Sequence, residues 1–275
     1  MADLTQWHPA FVSATKLELR DNKEDLTFSS EVGLNTKPIM VDLLVITKSP
    51  DVIIKNELGK IFKGHNLFEY KSPYDELNID TFYKGIAYAS LYKSKGSKVD
   101  SIKPEDITLS FVRDRKPHNL FKRLKSLDYG IRQETDGIYY IDNCIFGIQI
   151  IVTSELNPSN HIWLASLTDK LSEENAKILI NEAGKIISKD DKEASDSVLE
   201  VTISQNAQVF EYLKEEDTMC KAIIKLFQEE YDAGINALQA EKDAEINALN
   251  AIQAEKDAEI ENLKAEIAAL KLQLS

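Results

Sequence analysis

The sequence predicts an α/β fold: a mixed sheet flanked by helices, followed by a helical region and a C-terminal coiled coil. Three observations carry that expectation. Short apolar runs alternate with stretches of helical spacing over the first 170 residues, the pattern of a sheet covered by helices. From Ser172 onward the spacing is helical and the composition acidic. Beyond Tyr231 there is no proline, and the segment Gln239 to Ile246 recurs two heptads later as Gln253 to Ile260. The expected divisions are a sheet domain over 1–170, a helical linker region over 171–230 and a coiled coil over 231–275.

Taken in order, Trp7-His8-Pro9 opens an amphipathic helix over Ala10 to Arg20, with Phe11, Ala14 and Leu17 inward and Glu18 near the edge of that stripe. Leu26 to Val32 reads as a strand, and Gly33, Asn35 and Pro38 mark a turn into a second strand, Ile39 to Ile46, so the two form a hairpin. An insert with helical spacing (Val52, Ile53, Leu58, Ile61, Phe62) precedes a strand from Asn66 to Pro73. A helix then runs from the Asp75–Asn78 start signal to Lys93, with Phe82, Ile86, Ala87 and Leu91 on its buried side. Ile107 to Val112 is a strand and His118 to Leu127 a basic helix. Gly130 to Ile141 and Phe146 to Thr153 are β segments, and Ile162-Trp163-Leu164 a short last one.

Past Ser172, Lys189 to Glu193 marks a break between helices. In the terminal segment Ile246, Leu249, Ile260, Leu263, Ile267, Leu270 and Leu274 fit a and d positions, while Gln253 and Lys256 interrupt them and a stutter separates the Ile235/Leu238 pair. Such a seam cannot be buried by one helix. A homo-oligomer through 231–275 is the expectation, with dimer and trimer both open.

The chain has 275 residues and a formal net charge of −13. No apolar run approaches the roughly 20 residues that span a bilayer, and no basic-then-apolar leader opens the chain. These features predict a cytoplasmic protein with no membrane partner. Cys144 and Cys220 lie far apart without a CxxC partner, which argues against zinc and against a disulfide framework. The acidity is unevenly spread. Residues 1–150 balance to zero, so 151–275 carry the whole deficit, and 91–126 hold ten Lys or Arg against four acids. Arg113, Arg115, Lys116, Lys122, Arg123 and Lys125 in that stretch are candidates for holding DNA phosphates.

The chemistry concentrates in two strands. Asp42 interrupts an apolar run, and Glu69 and Lys71 lie two apart, hence on one face of their strand, with Tyr70 on the other. Interior strands exclude unpaired charge, so the three residues call for a partner or a metal. Two carboxylates and an ammonium suit a hard cation such as Mg²⁺ and an attacking water at a phosphodiester. A Glu69–Lys71 pair with an incidental acid is the plainer reading. Glu31 is a second candidate carboxylate and Glu57 is expected at the surface. His65 and His118 flank turns without metal-ligand spacing. No GxxxxGK, GxGxxG or GxSxG pattern appears.

The order helix, strand, strand ending in PIMVD, then FEYK, then helix resembles the PD-(D/E)xK nuclease superfamily. The blocks WHPAFVSATKLELR, KPIMVDLLVITK, IFKGHNLFEYKSPYDELNIDTFYKGIAYASLYK, ITLSFV, GIYYID and FGIQIIVTSEL are similar to its bacterial group of recombination-promoting nucleases and transposase-like proteins, over about residues 7–170. TMCKAIIKLF resembles the helical tail of that group. The resemblance implies a restriction-endonuclease-like sheet and a metal-dependent DNA endonuclease, linked to recombination or mobile-element activity. It implies Mg²⁺ or Mn²⁺ at Asp42 and Glu69, Lys71 serving the water, and Glu18 as the first-helix acid supporting the metal. The Asp-to-Glu spacing is longer than the compact one usual in the superfamily, a difference the insert at 52–62 accounts for. The alternative is a non-catalytic nuclease-like interaction protein oligomerised by its coiled coil, a reading the overall acidity favours.

Overall fold

A computed structural model describes residues 7–33, 40–49 and 52–216, together with Lys242 and Lys256. The expected coiled coil, Cys220 and the TMCKAIIKLF segment otherwise lie outside the described residues. Seven strands form one mixed sheet: β1 (Leu26–Gly33), β2 (Met40–Thr47), β3 (His65–Lys71), β4 (Ile107–Arg113), β5 (Ile131–Thr135), β6 (Ile138–Ile141) and β7 (Gly147–Val152). Their spatial order is β1-β2-β3-β4-β7-β6-β5. The outer hairpins β1/β2 and β6/β5 are antiparallel, whereas the central β3/β4 and β4/β7 pairs are parallel. The central strands are therefore buried on both faces, as parallel strands covered by helices are.

Helices flank the sheet: α1 (Trp7–Glu18), α2 (Ile79–Lys93), α3 (His118–Ser126), α4 (Pro158–Ala165), α5 (Glu173–Gly184), α6 (Lys189–Gln205) and α7 (Ala207–Glu216). Strand alternation decides what each face receives. Phe68 and Tyr70 of β3 meet Phe11 of α1, the Phe11 and Tyr70 rings stacking at 4.6 Å. Leu67, Leu109, Phe111, Ile148 and Ile150 meet Phe82 of α2 and Leu120 and Leu124 of α3 on the other face. Gly85 lets α2 lie close, because a Cβ there would stand 2.5 Å from the Phe111 ring. The first face also holds a buried polar row, in which Thr108 donates to Asn66 at 2.7 Å and Gln149 to Ser110 at 2.8 Å. α6 packs along α1, α5 packs on α4, and α7 packs on α5 and α6.

Four local expectations are corrected. The 52–62 insert is not an α-helix; it is irregular, with bends and turns around a single 3-10 turn at Glu57–Gly59. Side chains satisfy its backbone instead: Asn22 donates to the Ile53 carbonyl and accepts from Lys55 N–H, and Gln149 donates to the Leu58 carbonyl. Ile162-Trp163-Leu164 is helical, not a strand, because Asn157 caps the segment and Pro158 takes its first turn. The three look strand-like because all are buried. Gly130–Ile141 is two strands, folded at Gly137 with φ +74°. Lys189–Glu193 is the first turn of α6, capped by Ser188, rather than a break.

Candidate active site

The β2–β3 ladder pairs Ile46 with His65, Val45 with Asn66, Leu44 with Leu67 and Leu43 with Phe68. One further step would set Asp42 opposite Glu69. There the ladder stops, and Asp42 Oδ2 instead accepts the Tyr70 N–H at 2.7 Å. Glu69 and Lys71 project together toward the α2 side, with Lys71 Nζ donating to Glu69 Oε1 at 2.8 Å. Their side chains are only 7% and 17% exposed, and that of Asp42 is 21% exposed. Three sequence-predicted residues thus meet at one strand end.

The electrostatics are those of crowded carboxylates. Burial raises the Asp42 pKa, the Glu69 charge raises it further, and the Tyr70 N–H, His8 and Lys71 only partly oppose them. A cation between the two carboxylates would relieve both effects. Among the described residues no group of three or more His, Cys, Asp or Glu is arranged to hold a metal. Two carboxylates remain a sufficient protein contribution for Mg²⁺, which keeps several waters and shares substrate oxygens. The donor set therefore fits that ion.

Two neighbours escaped the sequence reading. His8, at the start of α1, places Nε2 3.9 Å from Asp42 Oδ1 and stands edge-on to the Tyr70 ring. Lys84, one turn into α2, is held above its ordinary pKa first by its bond to Tyr88, with Glu69 and Asp42 adding to it. The readable signal for Lys84 was its Lys-x-x-x-Tyr spacing on the helix that follows Lys71, which puts both groups on one helix face.

Glu18 is not brought to this site. It lies ten residues along α1 from His8, about 15 Å at 1.5 Å per residue, and its partners are Asn56, His161 and the Leu164 N–H. The helix is too long for one acid near its end to reach a site at its start. Glu57, expected at the surface, is only 34% exposed and bonds His161. The Glu31 side chain lies outside the described residues. His65 is paired with Tyr92 at 2.8 Å, and burial lowers its pKa. Burial, the larger cause, and then Asp142 push the Cys144 thiol up to about 11.

The basic candidates separate into three groups. Arg113 is the register partner of Lys71 on β4, half-buried, and its Nε is buried without a hydrogen bond among the described residues. Arg115 is spent on Asp169 at 2.8 Å and Asp114 at 3.6 Å; Lys116 bonds Glu155 at 3.2 Å and covers the Tyr139 ring. Lys122 and Arg123 are exposed on α3, opposite its buried Leu120, Phe121 and Leu124. The chain matches no family model, no curated protein and no solved structure.

Proposed function

We propose that residues 1–170 are a PD-(D/E)xK nuclease domain, built on a restriction-endonuclease-like sheet, that hydrolyses phosphodiester bonds in DNA with Mg²⁺ or Mn²⁺ held by Asp42 and Glu69. The observation that carries it is the end of the β2–β3 ladder, where two like-charged, mostly buried carboxylates converge beside a lysine. Buried like charges cost stability, and a site that assembles them without a structural return points to chemistry.

When bound, the cation would supply Lewis acidity to the scissile phosphate and acidify an attacking water. The chain's own residues do the rest. Tyr70 N–H fixes Asp42 through Oδ2, while Oδ1 stands 3.9 Å from His8 Nε2. Glu69 holds the Lys71 ammonium at 2.8 Å, where it can orient the water and offset charge developing on the phosphate. Lys84 adds a second ammonium, and Arg113, Lys122 and Arg123 are the groups open to backbone phosphates. A cytoplasmic homo-oligomer through 231–275 would pair two such sites, an arrangement suited to cutting both strands.

The test is divalent-metal-dependent cleavage of plasmid DNA by the full chain, Asp42→Ala and Lys71→Ala. Both variants should lose activity, and equal cleavage by all three proteins sinks the proposal. The pairing of Arg115 and Lys116 with acids supports a second reading, a non-catalytic interaction protein. Calorimetry that finds neither metal binding at Asp42 and Glu69 nor DNA binding would favour it.

A further inference from the structure

His161 lies in a second charged cluster, at the other end of α1, that the proposed nuclease chemistry does not use. Its side chain is 2% exposed and is flanked on both sides. Nδ1 stands 3.2 Å from Glu18 Oε2 and Nε2 stands 3.3 Å from Glu57 Oε2. Ionised carboxylates only accept hydrogen bonds, and a neutral imidazole has one N–H to give. Only the imidazolium can donate to both. The two ring nitrogens face opposite carboxylates, so no single point is shared that a metal could occupy.

We propose that His161 is a protonated clasp that pins the segment joining β2 to β3 onto α1 and α4, and that it lets go as its proton is lost. The three groups come from three elements: Glu18 ends α1, Glu57 belongs to the 52–62 segment and His161 is in α4. Asn56 ties the same segment to the Glu18 carboxylate and carbonyl at 3.2 and 2.9 Å. The backbone at His161 departs from helical geometry, at φ −136° and ψ 37°, which kinks α4 at this residue. The charged groups around the 360 Å³ cleft beside the clasp are Arg20 and Asp21 after α1, Lys55 in the segment and Glu182 on α5; Lys60 approaches Glu57 at 4.0 Å. These are mixed in sign, so Glu18 and Glu57 dominate the field at the ring. Burial alone would push the His161 pKa down, but the bonds and charges of Glu18 and then Glu57 outweigh it and raise it.

The direction of the pH dependence follows. A histidine with a raised folded-state pKa contributes stability that is complete below the unfolded value of about 6.5 and is lost as pH rises through the folded value. The clasp is engaged while His161 is protonated and its two carboxylates are ionised, and it is released as pH rises through the folded-state value. It does not depend on the nuclease reading.

The experiment is NMR titration of the histidine rings in the full chain, with His161 assigned from His161→Gln, alongside amide exchange corrected for intrinsic rates. In the wild type His161 should titrate above 6.5, and Glu57→Gln, a change at a partly exposed group, should lower the midpoint by about one unit. Exchange at residues 56–59 should quicken as the wild type passes its midpoint and should be quick throughout in Glu57→Gln. A midpoint at or below 6.5, an unchanged midpoint in Glu57→Gln, or exchange indifferent to both pH and substitution would overturn the clasp.

Discussion

The two ends of α1 each gather two carboxylates around basic groups, and they do it differently. At the C-terminal end, Glu18 and Glu57 enclose His161, and Asn56 and the Leu164 N–H take further Glu18 oxygens. At the N-terminal end, Lys71 donates to Glu69, while Asp42 shares a site with a like charge, accepts the Tyr70 N–H and has His8 3.9 Å away. Buried charge is tolerable when every acceptor has a donor. The first cluster meets that condition and is a fastening. The second crowds two like charges, and the proposed metal site rests on that imbalance.

The sharpest way to break this contrast is cleavage. Asp42→Ala should reduce metal-dependent plasmid cutting by about a thousandfold, in the range expected when metal-ligand chemistry is lost. Glu18→Gln should leave the cutting rate of the folded protein unchanged, and a comparable loss there would erase the distinction. In urea unfolding the ranking should reverse. Glu18→Ala strands His161 and should cost about 3 kcal/mol, as breaking a buried ion pair does.

Metal should act on one end alone. Mg²⁺ at a hundred times its dissociation constant should stabilise the wild type by about 2.7 kcal/mol, and Asp42→Asn should abolish that shift. Without metal, the raised Asp42 pKa means that the protonated carboxyl suits the fold better than the charged one. Stability from this group is therefore present at low pH and lost as pH rises through its folded value, and Asp42→Asn should unfold later than the wild type at pH 7. A smaller effect is expected from α3: Lys122→Ala with Arg123→Ala should flatten the slope of log K for DNA against log salt by about one for each phosphate that is no longer neutralised. An unchanged slope would remove α3 from the DNA path.

Much of this was legible in residue spacing. Glu69 and Lys71 share a face because a strand alternates, and Phe11, Ala14 and Leu17 are buried because a helix repeats. The 52–62 segment misled because its apolar spacing fits a helix, yet its polar backbone is satisfied by Asn22 and Gln149, side chains distant in sequence. His161 gave no local signal at all, since its partner Glu18 is 143 residues away.

By itself the sequence determined the alternation of strands and helices, the apolar faces and the Glu69–Lys71 pair, because these depend on backbone periods of two and about 3.6 residues. Only the tertiary structure decided which acid joins that pair. The antiparallel register of β2 on β3 ends where Asp42 accepts the Tyr70 N–H, next to Glu69, while the length of α1 carries Glu18 to its far end. Register and crossing are set by how whole faces pack against one another, and no local run of residues encodes them.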